Sequence, residues 1–383
     1  MATRKAPLKV FVLSTKKGLA TALEKAAAKH KLAVEFVIDQ ALLTSATGAE
    51  PELGRPHAVS QLGTDTRPDN AGLVNFQDAE VIVSSPAMLE KIAQQENVVG
   101  FGPSLRWIHS TAAGVEQMVD VMRRFDQRNV RVTRYGRGFG PLMAEWALGM
   151  ILARERKLKL QMEAQEKSEW ASLSSVDRNG LLSSEETSAY RGLTHLSICI
   201  IGFGNIGRHV GRVCKAFGMR VIGANTSGTL GTLPASEGMG ACVDEVVPVD
   251  SIATVFPSCD YIFNLLPDTK DTKGLLDRGQ FEACDTSRGT VFLNAGRGTV
   301  VSEDTLVSSL EKGFLAGAIL DVFHKEPLPK ESTLWSRQDV VITPHVAAVS
   351  LEDDICSIFC DNAKRYLDGT PLLYEVDWLG RGY

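Results

Sequence analysis

The 383-residue chain offers little for a membrane, a polyanion or a disulfide framework to work with. No uncharged apolar run approaches the about 18 residues that cross a bilayer, and no apolar stretch precedes a cleavage site, so no span or leader is expected. Charge of one sign is not in excess: 41 basic against 46 acidic residues leave a net −5, which provides no basic footprint for nucleic acid or an anionic membrane. The seven cysteines include no CxxC pair, and several lie inside apolar strand-like runs, which fits a reducing cytosol and a cytoplasmic protein. Cys356 and Cys360, four apart, read as the buried face of a helix, and no cluster of ligands suggests a metal. The basic start, Met1 to Lys5, leaves too little room for a transit peptide before the strand-like Leu8 to Leu13.

What remains is an ordinary globular composition, 44% hydrophobic and 23% charged, long enough at about 150 residues per domain for two or three cores. Short apolar runs (Val10 to Leu13, Val34 to Ile38, Val81 to Val83, Trp107 to His109, Val130 to Val132) alternate with helical stretches such as Leu19 to Lys29. That rhythm predicts a parallel α/β sheet. An apolar stripe of Leu142, Trp146, Gly149, Met150 and Ala153 predicts one long helix over Pro141 to Lys159, suited to joining domains or dimerising. A second series starts at Leu196, with strands expected at Arg220 to Gly223, Tyr261 to Leu265, Thr290 to Leu293, Phe314 to Leu320 and Val340 to Ile342. Leu351 to Leu367 reads as a helix returning to the first domain, and the polar stretches 44–75 and 166–191 receive no assignment.

Strand Ser197 to Ile201 runs directly into Gly202-Phe-Gly204-Asn205-Ile206-Gly207, and Arg208 to Phe217 reads as a helix. In that context the first glycine permits a tight turn, the second a close approach of backbone to a pyrophosphate, and the third the packing of helix on strand. The next strand ends in Asn225-Thr226-Ser227, where an acid would hold the ribose hydroxyls of NAD. A neutral amide does not repel a 2′-phosphate, and Thr226 and Ser227 can donate to one, but no Arg or Lys follows locally, so the cofactor is NADP or NAD, with NADP permitted rather than demanded and a slight lean toward it. The other reading of these three residues is a polar turn indifferent to the 2′ position.

Three further motifs fall at the carboxyl ends of expected strands, where open α/β sheets bind ligands. They are Asn294-Ala-Gly-Arg297-Gly298, Asp321-Val-Phe-His-Lys-Glu326-Pro-Leu-Pro and Thr343-Pro-His345. With the glycine turn and Leu266-Pro267-Asp-Thr269-Lys-Asp-Thr272 they occur in one order over nearly the whole chain, and in this the sequence resembles the D-isomer-specific 2-hydroxyacid dehydrogenases. The resemblance implies two doubly wound parallel-sheet domains: a Rossmann-type cofactor domain, 135–350, inserted in a flavodoxin-like substrate domain, 1–134 with 351–383. It also implies a homodimer.

The resemblance makes Arg297, Glu326 and His345 the catalytic group, and chemistry supports each. Reducing a 2-oxo acid needs a cation for the carboxylate, which Arg297 offers as a bidentate fork, and a proton donor, which His345 supplies near neutrality. A carboxylate at Glu326 would favour imidazolium and orient the ring. By resemblance, Leu266, Pro267, Thr272, Ala295, Gly296 and Asp321 lie along the cofactor, Asp321 near the nicotinamide carboxamide. Ser84, Ser85 and Gly114 would offer backbone donors to the substrate carboxylate, although the two serines read equally as turn formers. His324 reads as surface. The implied activity is NAD(P)-dependent reduction of glyoxylate or hydroxypyruvate. The rival readings are a dinucleotide-sensing protein like the C-terminal binding protein corepressors, and a phosphoglycerate dehydrogenase with Arg134 and Arg137 lining a phosphate pocket. About 33 residues follow Ser350, short for the regulatory domain of many phosphoglycerate dehydrogenases.

Overall fold

The structure is a computed structural model that describes residues 6–14, 16, 18–37, 78–95, 101–125, 129–170, 191–230 and 242–380. The polar stretch 44–75 and most of 166–191 lie outside the described residues. The chain divides into two compact units, Met1–Gly138 with Ser350–Tyr383, and Phe139–Val349.

In the first unit, β1 (Leu8–Leu13), β2 (Val34–Val37), β3 (Val81–Ser84), β4 (Trp107–Ser110) and β5 (Arg131–Thr133) form a parallel sheet in the order β2-β1-β3-β4-β5. This is the flavodoxin-like order. Its central strands are near-continuous runs of Val, Ile, Phe and Leu because helices cover both faces of such a sheet. The helix Glu352–Leu367 belongs to this unit: Phe359 stacks on Trp107 with ring centroids 5.5 Å apart. Cys356 and Cys360 lie on its buried side. The tail then runs beside β5, where Val376 N–H donates to Val132 O at 2.8 Å and Glu375 pairs with Arg131 at 2.7 Å.

The second unit holds β6 (Ser197–Ile201), β7 (Arg220–Asn225), β8 (Glu245–Pro248), β9 (Tyr261–Asn264), β10 (Val291–Asn294), β11 (Gly317–Leu320) and β12 (Val340–Ile342). All pair in parallel, in the order β12-β11-β10-β9-β6-β7-β8. The chain order reverses between β6 and β9, the doubly wound Rossmann arrangement that opens a crevice at this point. Strand β8 escapes sequence reading, because four residues at a half-exposed edge carry no apolar run.

The long helix expected over 141–159 is two. One runs Phe139–Glu155 and another Leu158–Glu166, with Lys157 between them in the left-handed region at φ 54° and its side chain buried. Neither Gly nor Pro marks this break. The stripe read from sequence is also not the buried face. Met143, Ala144, Ala147 and Ile151 enter the core, while Leu142, Trp146, Met150 and Ala153 stay half-buried and Gly149 is exposed. The helix is apolar on both sides, so periodicity alone picks the wrong one. All seven cysteines are buried and free. Among the described residues no helix is long and apolar enough to cross a membrane, and no group of three His, Cys, Asp or Glu could hold a metal.

Candidate active site

The second sheet ends in a line. Ile201, Asn264, Asn294, Leu320 and Ile342 stand opposite one another in register across β6, β9, β10, β11 and β12, so the loops that follow emerge side by side along one edge. Most of the residues expected at the site leave the sheet there.

After β6 the chain turns at Gly202, φ +96°, and enters a helix at Asn205, three residues earlier than the sequence suggests. A Cβ at Gly202 would stand 2.9 Å from the backbone carbon of Leu265, and one at Gly207 would stand 2.7 Å from the Gly202 carbonyl oxygen. These two glycines are dictated by the turn and by the contact between helix and strand. Gly204 differs: its φ of −88° suits any residue, and a Cβ there would meet nothing within 4 Å. The missing side chain leaves open space at the N-terminus of this helix. The cradle therefore fits a pyrophosphate.

At the end of β7 the Asn225 amide closes its own turn. Its Oδ1 accepts from Gly228 N–H at 2.7 Å and from the Ser227 hydroxyl at 3.2 Å, and its Nδ2 donates to Thr229 O at 2.8 Å. Thr226 and Ser227 are exposed, and no Lys or Arg occurs between positions 225 and 244. In the loop after β9, Leu266 is buried, and the Thr272 hydroxyl donates to Pro267 O at 2.6 Å, so Thr272 shapes this turn. Thr299 donates to Asp268 at 2.9 Å and ties the turn to the loop after β10.

That loop carries buried Ala295 and Gly296 and half-buried Arg297, whose Nη1 donates to Gly296 O at 2.8 Å. A Cβ at Gly298 would fall 1.9 Å from the Phe323 carbonyl carbon, so the Arg297 loop rests directly on the segment leading to Glu326. Glu326 Oε2 meets His345 Nδ1 at 2.7 Å, and Glu326 Oε1 accepts from Phe323 N–H at 2.9 Å. The hydrogen bond to Glu326 raises the His345 pKa above its ordinary value against the opposing effects of burial and of the Arg297 charge. Burial would raise the Glu326 carboxyl, but the bonds from His345 and Phe323 and the Arg297 charge together hold it below the usual range. Arg297 thus lies within electrostatic reach of both members of the pair.

His345 sits at φ +56°, a conformation that costs a residue with a Cβ about 1–2 kcal/mol. The loop around it is over-determined. His345 N–H donates to Asp321 O at 2.9 Å, while the Asp321 carboxylate accepts from the Thr343 hydroxyl and, at 2.9 Å each, from Val346 and Ala347 N–H. Asp321, expected beside the nicotinamide, is 1% exposed with both side-chain oxygens engaged by this loop. His324 is exposed, as expected.

Ser84, Ser85 and Gly114 lie in the first unit. Ser84 ends β3 and donates its hydroxyl to Ser85 O at 3.0 Å, and Ser85 caps the helix Pro86–Ala93, accepting from Met88 N–H at 3.3 Å. Gly114 sits between β4 and the helix Glu116–Arg124. Both serine hydroxyls therefore serve the turn, and backbone N–H groups are what this edge can present. Arg137 is engaged by Ser357 at 2.6 Å and Asp361 at 2.9 Å.

Known proteins resemble this chain over most of its length. A probable 2-ketogluconate reductase from Dictyostelium discoideum is 29% identical over 262 residues, 67% of this chain and 70% of that protein. Glyoxylate/hydroxypyruvate reductase A of Citrobacter koseri is 27% identical over 286 residues, 74% and 83% of the two. The crystal structure of a D-isomer specific 2-hydroxyacid dehydrogenase family protein from Aeromonas salmonicida superposes with a TM-score of 0.73 at 29% identity, covering 97% of this chain and all of the other. The family model described as D-isomer specific 2-hydroxyacid dehydrogenase, NAD binding domain, matches residues 148–347, which span the cradle, Arg297, Glu326 and His345. The chain, with its glycine turn and its His345–Glu326 pair on one sheet edge, therefore belongs to the D-isomer specific 2-hydroxyacid dehydrogenases, NAD(P)-dependent oxidoreductases.

Proposed function

We propose that this enzyme reduces a small 2-oxo acid of the glyoxylate and hydroxypyruvate class to the 2-hydroxy acid. The observation that carries the reading is the 2.7 Å contact between His345 Nδ1 and Glu326, with the Arg297 charge acting on both. When bound, the dinucleotide supplies the hydride to the carbonyl carbon. Gly202 to Gly207 hold its pyrophosphate on the helix N-terminus, and Leu266, Pro267, Ala295 and Gly296 line its path. Arg297 binds the substrate carboxylate through its fork and draws charge from the carbonyl oxygen. His345, kept protonated by Glu326 on Nδ1, gives the Nε2 proton to that oxygen as charge builds there. Within the first unit, the backbone N–H groups around Ser84, Ser85 and Gly114 are donors suited to a carboxylate. NADPH is used at least as well as NADH, because Asn225 presents no negative charge to a 2′-phosphate. The protein works in the cytoplasm as a homodimer joined through the half-buried face of the helix Phe139–Glu155.

The test is a panel of glyoxylate, hydroxypyruvate, pyruvate, phenylpyruvate and phosphohydroxypyruvate against NADPH and NADH, followed by the absorbance of the reduced nicotinamide. The two small acids should give the highest kcat/KM. Preference for phosphohydroxypyruvate would overturn the substrate class, and the Arg137 bonds to Ser357 and Asp361 argue against a phosphate pocket built on that residue. Cofactor binding without turnover of any acid would leave a dinucleotide sensor instead.

A further inference from the structure

Two asparagines at the ends of the central strands take no part in the acid–base chemistry described above. Asn264 closes β9 and Asn294 closes β10, directly opposite in register, and they are 0% and 1% exposed. The residues before them are Phe263 and Leu293, and a strand end enclosed this way ordinarily takes another apolar side chain. A buried amide is tolerated only where its donors and acceptors are matched. Here they are matched to each other and to two different loops.

The amides are joined head to tail, Asn264 Nδ2 donating to Asn294 Oδ1 at 2.9 Å. On one side, Leu266 N–H donates to Asn264 Oδ1 at 3.2 Å. On the other, Asn294 Nδ2 donates to the Arg297 carbonyl oxygen at 3.2 Å, and Asn294 Oδ1 also accepts from Gly296 N–H at 3.2 Å. The result is a directional chain from Leu266 N–H through two amides to the Arg297 carbonyl. Direct contact reinforces it: a Cβ on Gly296 would lie 2.8 Å from Asn264 Nδ2 and from both the nitrogen and the oxygen of Leu266. No gap remains for the two loops to slide past each other. Arg297 in turn holds its own guanidinium against Gly296 O, so fixing this backbone fixes the fork.

We infer that Asn264 and Asn294 are a positioning pair that locks the Arg297 guanidinium in register with the cofactor-lining segment Leu266–Pro267. The substrate cation and the dinucleotide track are thereby set by one hydrogen-bonded unit. The pair acts through Arg297 and touches neither ligand. This rests on Arg297 being the cation that binds the substrate carboxylate, so the experiment separates the two claims.

Asn294→Ala and Asn264→Ala are each made alone and with Arg297→Gln. Steady-state kinetics are measured at saturating reduced cofactor with the best oxo acid of the panel, and cofactor Kd is read by fluorescence without oxo acid. Each single asparagine variant should raise KM for the oxo acid by about 10- to 100-fold, the scale of a misplaced binding group, with a smaller loss of kcat. In the Arg297→Gln background the same changes should cost less than about twofold, since residues acting as one unit are not additive. A folded Asn294→Ala enzyme with wild-type KM overturns the inference, and so do losses that multiply with that of Arg297→Gln. If Asn294→Ala does not fold, Asn264→Ala tests the register itself, because it cuts the link to Leu266 while leaving the Asn294 bonds to Gly296 and Arg297 in place, and a folded Asn264→Ala enzyme with wild-type KM then overturns the inference. Failure of both to fold would make the asparagines a folding element and also overturn it. Wild-type KM in Arg297→Gln alone would instead remove the role of Arg297.

Discussion

The glycine turn proposed as a phosphate cradle and the His345–Glu326 pair proposed as an acid–base corner share one edge of one sheet and are built by opposite means. At Gly202, Gly204 and Gly207 the site exists because side chains are missing, and what it offers is backbone N–H and space. At Glu326 and His345 it exists because two side chains meet at 2.7 Å, one of them on a backbone held at φ +56° by a fully engaged Asp321. The first depends on local chain geometry and the second on contacts among three separate loops. Substitution should therefore separate affinity from chemistry along this edge.

The largest effect is expected where chemistry is concentrated. His345→Ala should lower kcat by about 10² to 10⁴ with cofactor Kd near wild type, because the proposed proton donor is lost and the glycine turn is untouched. Single-turnover and binding measurements on the same preparation check this, and a variant with wild-type turnover would remove His345 from the mechanism.

The cradle should give the converse. Gly204→Ala adds a methyl group where nothing lies within 4 Å, at an ordinary φ, so the thermal midpoint should scarcely move. In the proposed site that methyl group would stand in the path of the pyrophosphate, and overpacking of this kind should weaken cofactor Kd by about 10- to 100-fold. Gly202→Ala is the control, since its Cβ meets the Leu265 backbone at φ +96° and should cost stability as well. Equal losses of stability in both would mean that Gly204 is merely structural.

These two regions also differ in how far the sequence exposes them. Glycine spacing between an apolar strand and a helix is a local signal, and the helix Leu19–Lys29 and strand β12 are likewise legible to the residue because their apolar patterns are local. The histidine–glutamate contact spans 19 residues and two loops, and only the joint occurrence of several motifs points to it. Lys157 turning left-handed, the inverted faces of the helix Phe139–Glu155, and the loop-clamping role of Asp321 leave no such trace. Each depends on what packs against the residue. Asn264 is hidden for the same reason: in sequence it is one polar residue after Tyr-Ile-Phe, and its meaning comes from Asn294 in the neighbouring strand.

A smaller effect is expected at Asn225, the proposed ribose end of the site. Asn225→Asp keeps an acceptor for Gly228 N–H and Ser227 but loses the donor to Thr229 and brings a charge that repels a 2′-phosphate. Preference should move toward NADH by about 1–2 kcal/mol, read as the ratio of kcat/KM for the two cofactors. Parallel losses with both would mean that this turn does not face the ribose.

The smallest change in rate, and the sharpest on the corner itself, is expected from Glu326→Gln. The glutamine keeps the shape and a hydrogen-bonding oxygen but not the charge. In the wild type the bond to Glu326 holds the His345 pKa above its ordinary value, so protonated imidazole, the form that reduction needs, persists as pH rises and is lost only through that raised pKa. Without the charge the pKa falls. The alkaline limb of kcat/KM for reduction should move to lower pH, while activity at acidic pH stays within about tenfold of wild type. Oxidation of the 2-hydroxy acid needs neutral His345 as base, so its acidic limb should also move to lower pH, which extends activity in that direction while curtailing the other. General misfolding lowers both directions at every pH and cannot produce such opposed gains. If both limbs kept their wild-type midpoints with chemistry limiting the rate, Glu326 would not set the protonation of His345, and the corner would have to be rebuilt around another partner.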